Sequence, residues 1–329
     1  MRCSEIDFVL PWVDGSDSEW QALYESYSSQ EEKVFNNNGE RFRDWGLLRF
    51  WFRGVEKFAP WVRRIHFITC GQCPPWLDLN HPSIHFVNHS DYIPSQYLPT
   101  FNSHVIENNI HRIEGLTECF VLFNDDVFLS SPVCPDDFFK NGLPRDVAIR
   151  NFIGLSEQSH IVLNDILLIN RYLDFWASYR KNLLKWYDYR YGLHCIRNLF
   201  FHRIKDFSGL KRLHMANPYL KTTFENVWEV CGEELDETNG RRFRSIKDVN
   251  QYLFQYWQIV TGSFYPKRYN YGCYCVTDNI ALIKSILSQR KREQICINDN
   301  GSSDYSVLKE KLQQVFESVF PEKSTFELY

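Results

Sequence analysis

Ile6-Asp7-Phe8-Val9-Leu10-Pro11-Trp12-Val13-Asp14-Gly15, near the start of the chain, is a compact β-type run closed by Asp-Gly, a turn signal. Ser16 or Asp17 then caps a helix carrying Trp20, Leu23 and Tyr27. A strand, a turn and a helix in that order form the first unit of an α/β chain. Residues 36–39, Asn-Asn-Asn-Gly, read as a loop. Beyond it, Leu47, Leu48, Trp51, Val55 and Phe58 recur at helical spacing until Ala59-Pro60 stops them. The spacing predicts strands at 64–69 and 84–87, a helix at 105–113, and a strand at 119–123 whose unbroken apolar run suits burial on both faces. The alternation predicts an α/β fold with a mostly parallel sheet flanked by helices, whose ligands gather at the carboxyl ends of the strands. Two of those ends are acidic: Asp14 after the first strand, and Asn124-Asp125-Asp126 after the apolar one.

From about 155 to 235 the pattern changes to long aromatic helical stretches, such as 166–179 and 219–230. Residues 245–260 read as a further helix and 274–277 as a short strand. Val307, Leu308, Leu312, Val315, Phe316, Val319 and Phe320 form one face of an amphipathic final helix. The chain therefore divides into an α/β core at 1–150 that binds the ligand, a helical insert at 151–235 suited to an acceptor, and a C-terminal part at 236–329 that completes core and site. With 329 residues, 44% hydrophobic and 24% charged, the chain can bury a large core and is neither disordered nor fibrous. Its 37 basic and 41 acidic residues leave a net charge of −4, which disfavours nucleic acid as a partner. The polar, Pro-broken start does not suit a signal peptide, and no stretch approaches 18 apolar residues. The expectation is a cytoplasmic protein, at the inner face of the cell membrane if its substrate is held there, with its ten cysteines reduced.

Adjacent carboxylates after a buried strand repel each other, so they commonly sit beside a cation or cationic partner. A hard, oxygen-liganding metal such as Mg²⁺ or Mn²⁺, completed by substrate phosphates, is one reading of Asp125-Asp126, and a capped turn is the other. The chain has neither GxGxxG nor GxxxxGK[ST], which disfavours dinucleotide and P-loop binding.

Longer blocks carry a resemblance. IDFVLPWVDGSDSEW (6–20), the block from RFRDWGLLRFWF to FVLFNDDVFL (41–129), HMANPYL with RRFRSIKDV (214–249) and CINDN (296–300) together resemble the four blocks of the Stealth family of sugar-1-phosphate transferases. The resemblance covers roughly half of the chain. It implies a GT-A-like core, a UDP-sugar donor, a glycan or lipid-linked oligosaccharide acceptor, and a divalent cation. It also implies roles for individual residues: Asp125, Asp126 and Asp299 toward the metal and diphosphate, His214 as general base, and Arg244 on a phosphate oxygen with Arg242 as its nearest substitute. Trp12, Val13, Asp14 and Gly15 would line the uridine side, and Asn102 and Asn124 would contact the donor. His104 and His111 read as structural, and Arg41, Arg43 and Asp44 as either ligands or a salt-bridge network.

Cys70 stands where the family usually has Asp, and Trp45 and Ser18 are further departures. Cys70-Gly71-Gln72-Cys73 superficially fits a redox CxxC motif, and Cys70, Cys73, Cys273 and Cys275 fit a four-thiol zinc site. The aromatic stretch 175–191 carries a basic rim of Arg180, Lys181, Lys185 and Arg190, which suits either a lipid diphosphate or anionic surface, or a solvated helix face. A metal-dependent glycosyltransferase of similar fold, releasing UDP instead of UMP, is the nearest rival activity.

Overall fold

The structure, a computed structural model, describes residues 3, 5–28, 42–154 and 159–329. The loop expected at 36–39 and Arg41 lie outside them. Eleven strands are present among the described residues: β1 (Ile6–Pro11), β2 (Arg64–Thr69), β3 (Ile84–Asn88), β4 (Cys119–Leu122), β5 (Val127–Leu129), β6 (Phe139–Lys140), β7 (Leu143–Asp146), β8 (Asn217–Leu220), β9 (Tyr265–Pro266), β10 (Gly272–Val276) and β11 (Gln294–Asn298). The helices include α1 (Ser18–Tyr27), α2 (Leu48–Phe58), α3 (Ser103–Asn108), α4 (Ser159–Tyr172), α5 (Phe175–Lys181), α6 (Leu183–Trp186), α7 (His194–Phe200), α8 (Lys221–Asn239), α9 (Tyr252–Val260), α10 (Ile280–Gln289) and α11 (Tyr305–Val319).

The main sheet runs β3-β2-β1-β4-β8, with the first four strands parallel and β8 antiparallel to β4. β4 is apolar throughout and β1 is apolar apart from Asp7, because both faces of these strands are covered. Phe8, Leu10 and Val121 point into one core with Trp51, Phe52 and Phe316, while Val9, Phe120 and Leu122 point into a second core with Phe224, Phe254 and Val227. The first core is closed by α2 and α11 and the second by α8 and α9. The strand order makes β1 a switch point: the chain runs outward through β2 and β3, then returns to place β4 on the other side of β1. The crevice beyond the carboxyl ends of β1 and β4 is where such sheets bind ligands.

The expected α/β architecture and its mostly parallel sheet are present, with local corrections. The stretch 166–179 is two helices rather than one, because the Asp174 side chain accepts from the Ala177 amide and starts α5 anew. Tyr219, read as helical, is a strand residue. Pro218 is tolerated there because β8 is an edge strand, and α8 begins only at Lys221. The helix expected from 245 starts at Tyr252, since Asp248 is drawn away into bonds with Asn102 and His104. The helix expected at 105–113 ends at Asn108 and is followed by a separate 3₁₀ turn at Ile110–Arg112. Not all cysteines are reduced: Cys3 and Cys119 form a disulfide, because β1 and β4 are neighbours and Ile6 lies opposite Cys119. The other eight are free thiols. Among the described residues no helix is long and apolar enough to cross a membrane.

Candidate active site

Two cavities meet beyond the carboxyl ends of β1 and β4. The first is an aromatic recess, walled by Trp12, Val13, Trp20, Phe42, Phe101 and Phe123, with Asp125 and Cys70 also on its lining. The second is polar, walled by Arg212, His214, Tyr252, Asn250, Tyr274 and Asn298 among others. Ser103, Glu107, Asn124 and Arg244 line both and form the wall they share.

The sequence builds the recess from turns that fold on themselves. Asp14 spends its carboxylate locally: Oδ1 accepts from the amide and hydroxyl of Ser16 at 2.8 and 2.6 Å. Its backbone exchanges two hydrogen bonds with the Gln72 side chain, both 2.9 Å, tying the loop after β1 to the loop after β2. Gly15 has no side chain because none fits: a Cβ there would lie 2.3 Å from the carbonyl oxygen of Phe42, which the recess needs in place. Trp12 and Val13 therefore face the recess, while Asp14 and Gly15 stand one step behind it.

Arg244 is positioned by a buried relay. Asn102 caps α3, accepting from the His104 amide at 3.1 Å, and its Nδ2 donates to Asp248 Oδ2 at 2.8 Å and more weakly to the carbonyls of Arg241 and Phe243. His104 Nδ1 lies 3.1 Å from the same Asp248 oxygen. Phe101 bonds its amide to the Arg242 carbonyl and stacks on Phe243. Asn102 was expected to touch the donor, yet its amide is committed to holding the 241–248 segment and does not face either cavity. Arg242 also points away, donating to the Pro99 carbonyl and covering the Tyr27 ring. Arg244 is the member of the pair delivered to the shared wall, where its guanidinium donates to Ser103 Oγ.

Asp125 and Asp126 diverge. Asp125 opens onto the recess, where the surrounding walls, and after them the neighbouring Asp126, raise its carboxyl to about 7. Asp126 points the other way, toward His214 and Cys296. Its Oδ2 accepts from the Cys296 thiol at 3.3 Å, and its Oδ1 is buried without a hydrogen-bond partner, 3.6 Å from His214 Nε2. His214 Nε2 is also 3.2 Å from the Asn124 side-chain nitrogen, and Nδ1 lies 3.0 Å from the Tyr252 hydroxyl. Interaction with Tyr252, followed by the nearby charge of Asp126, holds the imidazole proton more tightly than usual despite burial. This corrects the expectation of an unperturbed, neutral imidazole.

The ligand atoms of Asp126, His214 and Cys296 lie within 4.8 Å of one another and form the one such donor group among the described residues. Asp299 is not in it: its carboxylate accepts from Trp45 Nε1 and the Gly301 amide and pairs with Arg43 at 3.8 Å. Trp45 and Arg43 thus act in positioning the C-terminal part against the core. The orphaned Asp126 oxygen fits a hard cation that takes its remaining ligands from phosphate and water. Cys296 is a poor ligand for it, since burial, and then Asp126, push its thiol far up and keep the proton on sulfur.

Glu107 and Arg212 escaped the sequence reading. Glu107 is buried in the shared wall with Oε2 unpartnered, and burial raises its carboxyl to about 7 against the opposing charges of Arg244 and His214. Its signal was an acid inside the apolar face of a short helix. Arg212 lies over the Tyr252 ring at 3.2 Å from its centroid, two residues before His214. The cysteine rivals do not hold: burial raises the Cys70 and Cys73 thiols rather than lowering them, and the pair at Cys273 and Cys275, 3.8 Å apart, is not part of a donor group with them.

Comparison of the sequence with known proteins identifies a family. The models for Stealth protein conserved regions 1, 2 and 4 match residues 4–32, 41–147 and 284–329. The block at 214–249 rests on its resemblance alone. A capsular polysaccharide phosphotransferase WcwK of Streptococcus pneumoniae is 41% identical over 326 residues, spanning 98% of this chain and 99% of the relative. The exopolysaccharide phosphotransferase cps2G of Lactiplantibacillus plantarum is 36% identical, over 98% and 96% of the two chains. The receptor polysaccharide phosphotransferase WefC of Streptococcus oralis is 36% identical, over 99% and 100%. Full-length similarity at this level, with three matched regions in family order, means that the chain belongs to the Stealth family of phosphotransferases.

Proposed function

We propose that this protein transfers a sugar-1-phosphate from a UDP-sugar to a hydroxyl of a glycan acceptor, on or off a lipid carrier, in cell-surface polysaccharide synthesis at the cytoplasmic face of the membrane. The names of its relatives support phosphotransfer onto polysaccharide. The observation that carries the finer reading is the shared wall: Arg244 and Asn124 stand between an aromatic recess and a polar cavity, with Asp125 on the recess and Asp126 behind His214, which lines the polar cavity. A UDP-sugar with its diphosphate across that wall would put its base among Trp12, Trp20 and Phe101 and its sugar beside His214, leaving the part of the insert that lines the polar cavity, at Ile161 and Val162, to meet the acceptor.

Arg244 holds a phosphate oxygen in its planar fork, its guanidinium anchored on the Ser103 hydroxyl. The acceptor oxygen attacks the phosphorus that bears the sugar. The bond from that phosphorus to the UMP oxygen breaks, UMP leaves with the electron pair, and the product is a phosphodiester. A Mg²⁺ or Mn²⁺ ion held by Asp126 would neutralise diphosphate charge. His214 in its neutral form takes the acceptor proton at Nε2, with Nδ1 held 3.0 Å from the Tyr252 hydroxyl. The test incubates the protein with UDP-sugars, Mg²⁺ or Mn²⁺ and a glycan acceptor, and separates UMP from UDP by chromatography. Acceptor-dependent UMP is expected, and acceptor-dependent UDP would replace this reading with glycosyl transfer.

A further inference from the structure

The insert presents its apolar residues outward in one place. Leu184, Leu193 and Phe200 are 89, 84 and 81% exposed, and Tyr189, Ile196 and Leu199 are exposed beside them in sequence. Single exposed apolar groups need no explanation, but six within residues 184–200 do. On α7, Ile196 and Phe200, with Leu193 at its N-cap, fall on the side opposite Asn198, which is fully buried.

The scaffold under this face is built rather than loose. Asn198 Nδ2 donates to the carbonyls of Trp186 and Ala148, and its Oδ1 accepts from the Arg150 amide at 2.7 Å, joining α7 to the end of α6. The fully buried Arg150 guanidinium then ties down the chain after α7 through the carbonyls of Phe201, Ile204 and Asp206, at 2.7, 3.0 and 2.6 Å. Two buried polar side chains thus hold an apolar helix face against solvent.

The charge around it is one-sided. Residues 180–205 contain seven Lys and Arg and a single Asp, Asp188, in a chain whose net charge is −4. Asp188 is itself paired with Arg190 at 2.8 Å. Arg180, Lys181, Arg203 and Lys205 are exposed. Exposed apolar side chains flanked in sequence by exposed cations match a surface that is apolar below and anionic above.

We infer that the α6–α7 face, led by Leu184, Leu193 and Phe200, docks this protein on an anionic lipid bilayer. The site lies outside both cavities, so docking would bring the enzyme to a surface that carries a lipid-linked acceptor without occupying the donor site. It deepens the acceptor half of the proposed function, but binding itself does not depend on the transfer chemistry.

The test is flotation with phosphatidylcholine vesicles, with and without phosphatidylglycerol, at low and high salt. The proteins are the wild type, a Leu193→Ser/Phe200→Ser variant and an Arg203→Glu/Lys205→Glu variant. The wild type is expected to float only with the anionic vesicles and to be released by salt. Each double variant is expected to lose about tenfold or more in bound fraction. All four positions are exposed, so thermal unfolding by circular dichroism should be unchanged and serves as the folding control. No flotation of wild type with anionic vesicles, or undiminished flotation of the Leu193→Ser/Phe200→Ser variant, would overturn the inference. So would light scattering that shows a dimer dissolved by that variant, since the face would then belong to a second copy. UMP release with a water-soluble acceptor, measured alongside, should match wild type in both variants, so a failure of docking is distinguishable from a failure of the transfer reading.

Discussion

The ends of β1 and β4 lie side by side in the sheet, and each is followed within four residues by an Asp, yet the two acids do different work. Asp14 gives Oδ1 to the Ser16 amide and hydroxyl and so closes its own turn. Asp126 keeps a buried Oδ1 with no hydrogen-bond partner, facing His214. A carboxylate whose oxygens are satisfied locally is construction material, whereas a buried oxygen left unsatisfied next to a second acid stores unfavourable energy that a cation or phosphate-bound ligand relieves. Position after a strand does not separate these cases; the availability of partners two residues downstream does.

The comparison breaks most visibly at Asp126. Asp126→Asn keeps the shape and removes the charge, and acceptor-dependent UMP release is expected to fall about a thousandfold with the melting temperature nearly unchanged. Turnover within about tenfold of wild type would show that the orphaned oxygen is not part of the chemistry.

How much of this was legible depends on whether the deciding interaction is local. The strands at 64–69 and 119–122 could be read as short, mainly apolar runs buried on both faces, and the amphipathic helices at 48–58 and 305–319 because their apolar residues recur at helical spacing. Tyr219 could not, because its strand exists only by pairing with β4, about a hundred residues earlier. Within the site, Trp12, His214, Arg244 and the acid pair stood in recognisable blocks. The division of labour inside those blocks was not readable: Arg242 and Arg244 look equivalent in RRFRS, and only the packing of Phe243 on Phe101 decides which guanidinium reaches the cavities. Asp299 looked like Asp126 for the same reason, until Trp45 and Arg43 are seen to use it. Glu107 lacked any motif and became visible only as a buried acid with an unpaired oxygen.

The amino end of β1 sharpens the contrast, because Asp7 there is buried but fully satisfied. Burial pushes its carboxyl up, yet His66, Arg63 and the Thr117 amide outweigh that and hold it to about 2, against 3.8 ordinarily. A depressed carboxyl contributes stability above the unfolded value and loses it as pH falls through the folded one. Asp7 should therefore contribute about 2 kcal/mol at pH 5 and above, declining below pH 4 and gone below pH 2. Urea unfolding across that range should show a decline that Asp7→Asn flattens. Gly15→Ala acts on the recess instead: the new Cβ displaces Phe42, so the donor KM is expected to rise about tenfold with kcat little changed.

The smallest effect is expected at Asp14, and it is the most exacting control on the comparison. Asn in its place retains a side-chain oxygen that can accept from the Ser16 amide and hydroxyl, so the turn survives the loss of charge. UMP release by Asp14→Asn should stay within about twofold of wild type, since nothing in the turn requires a full negative charge. A collapse resembling that of Asp126→Asn would mean that the charge of Asp14 is felt across the mouth of the recess by the donor or its cation. The two strand ends would then form one electrostatic site, and saturated hydrogen bonding would no longer mark an acid as structural.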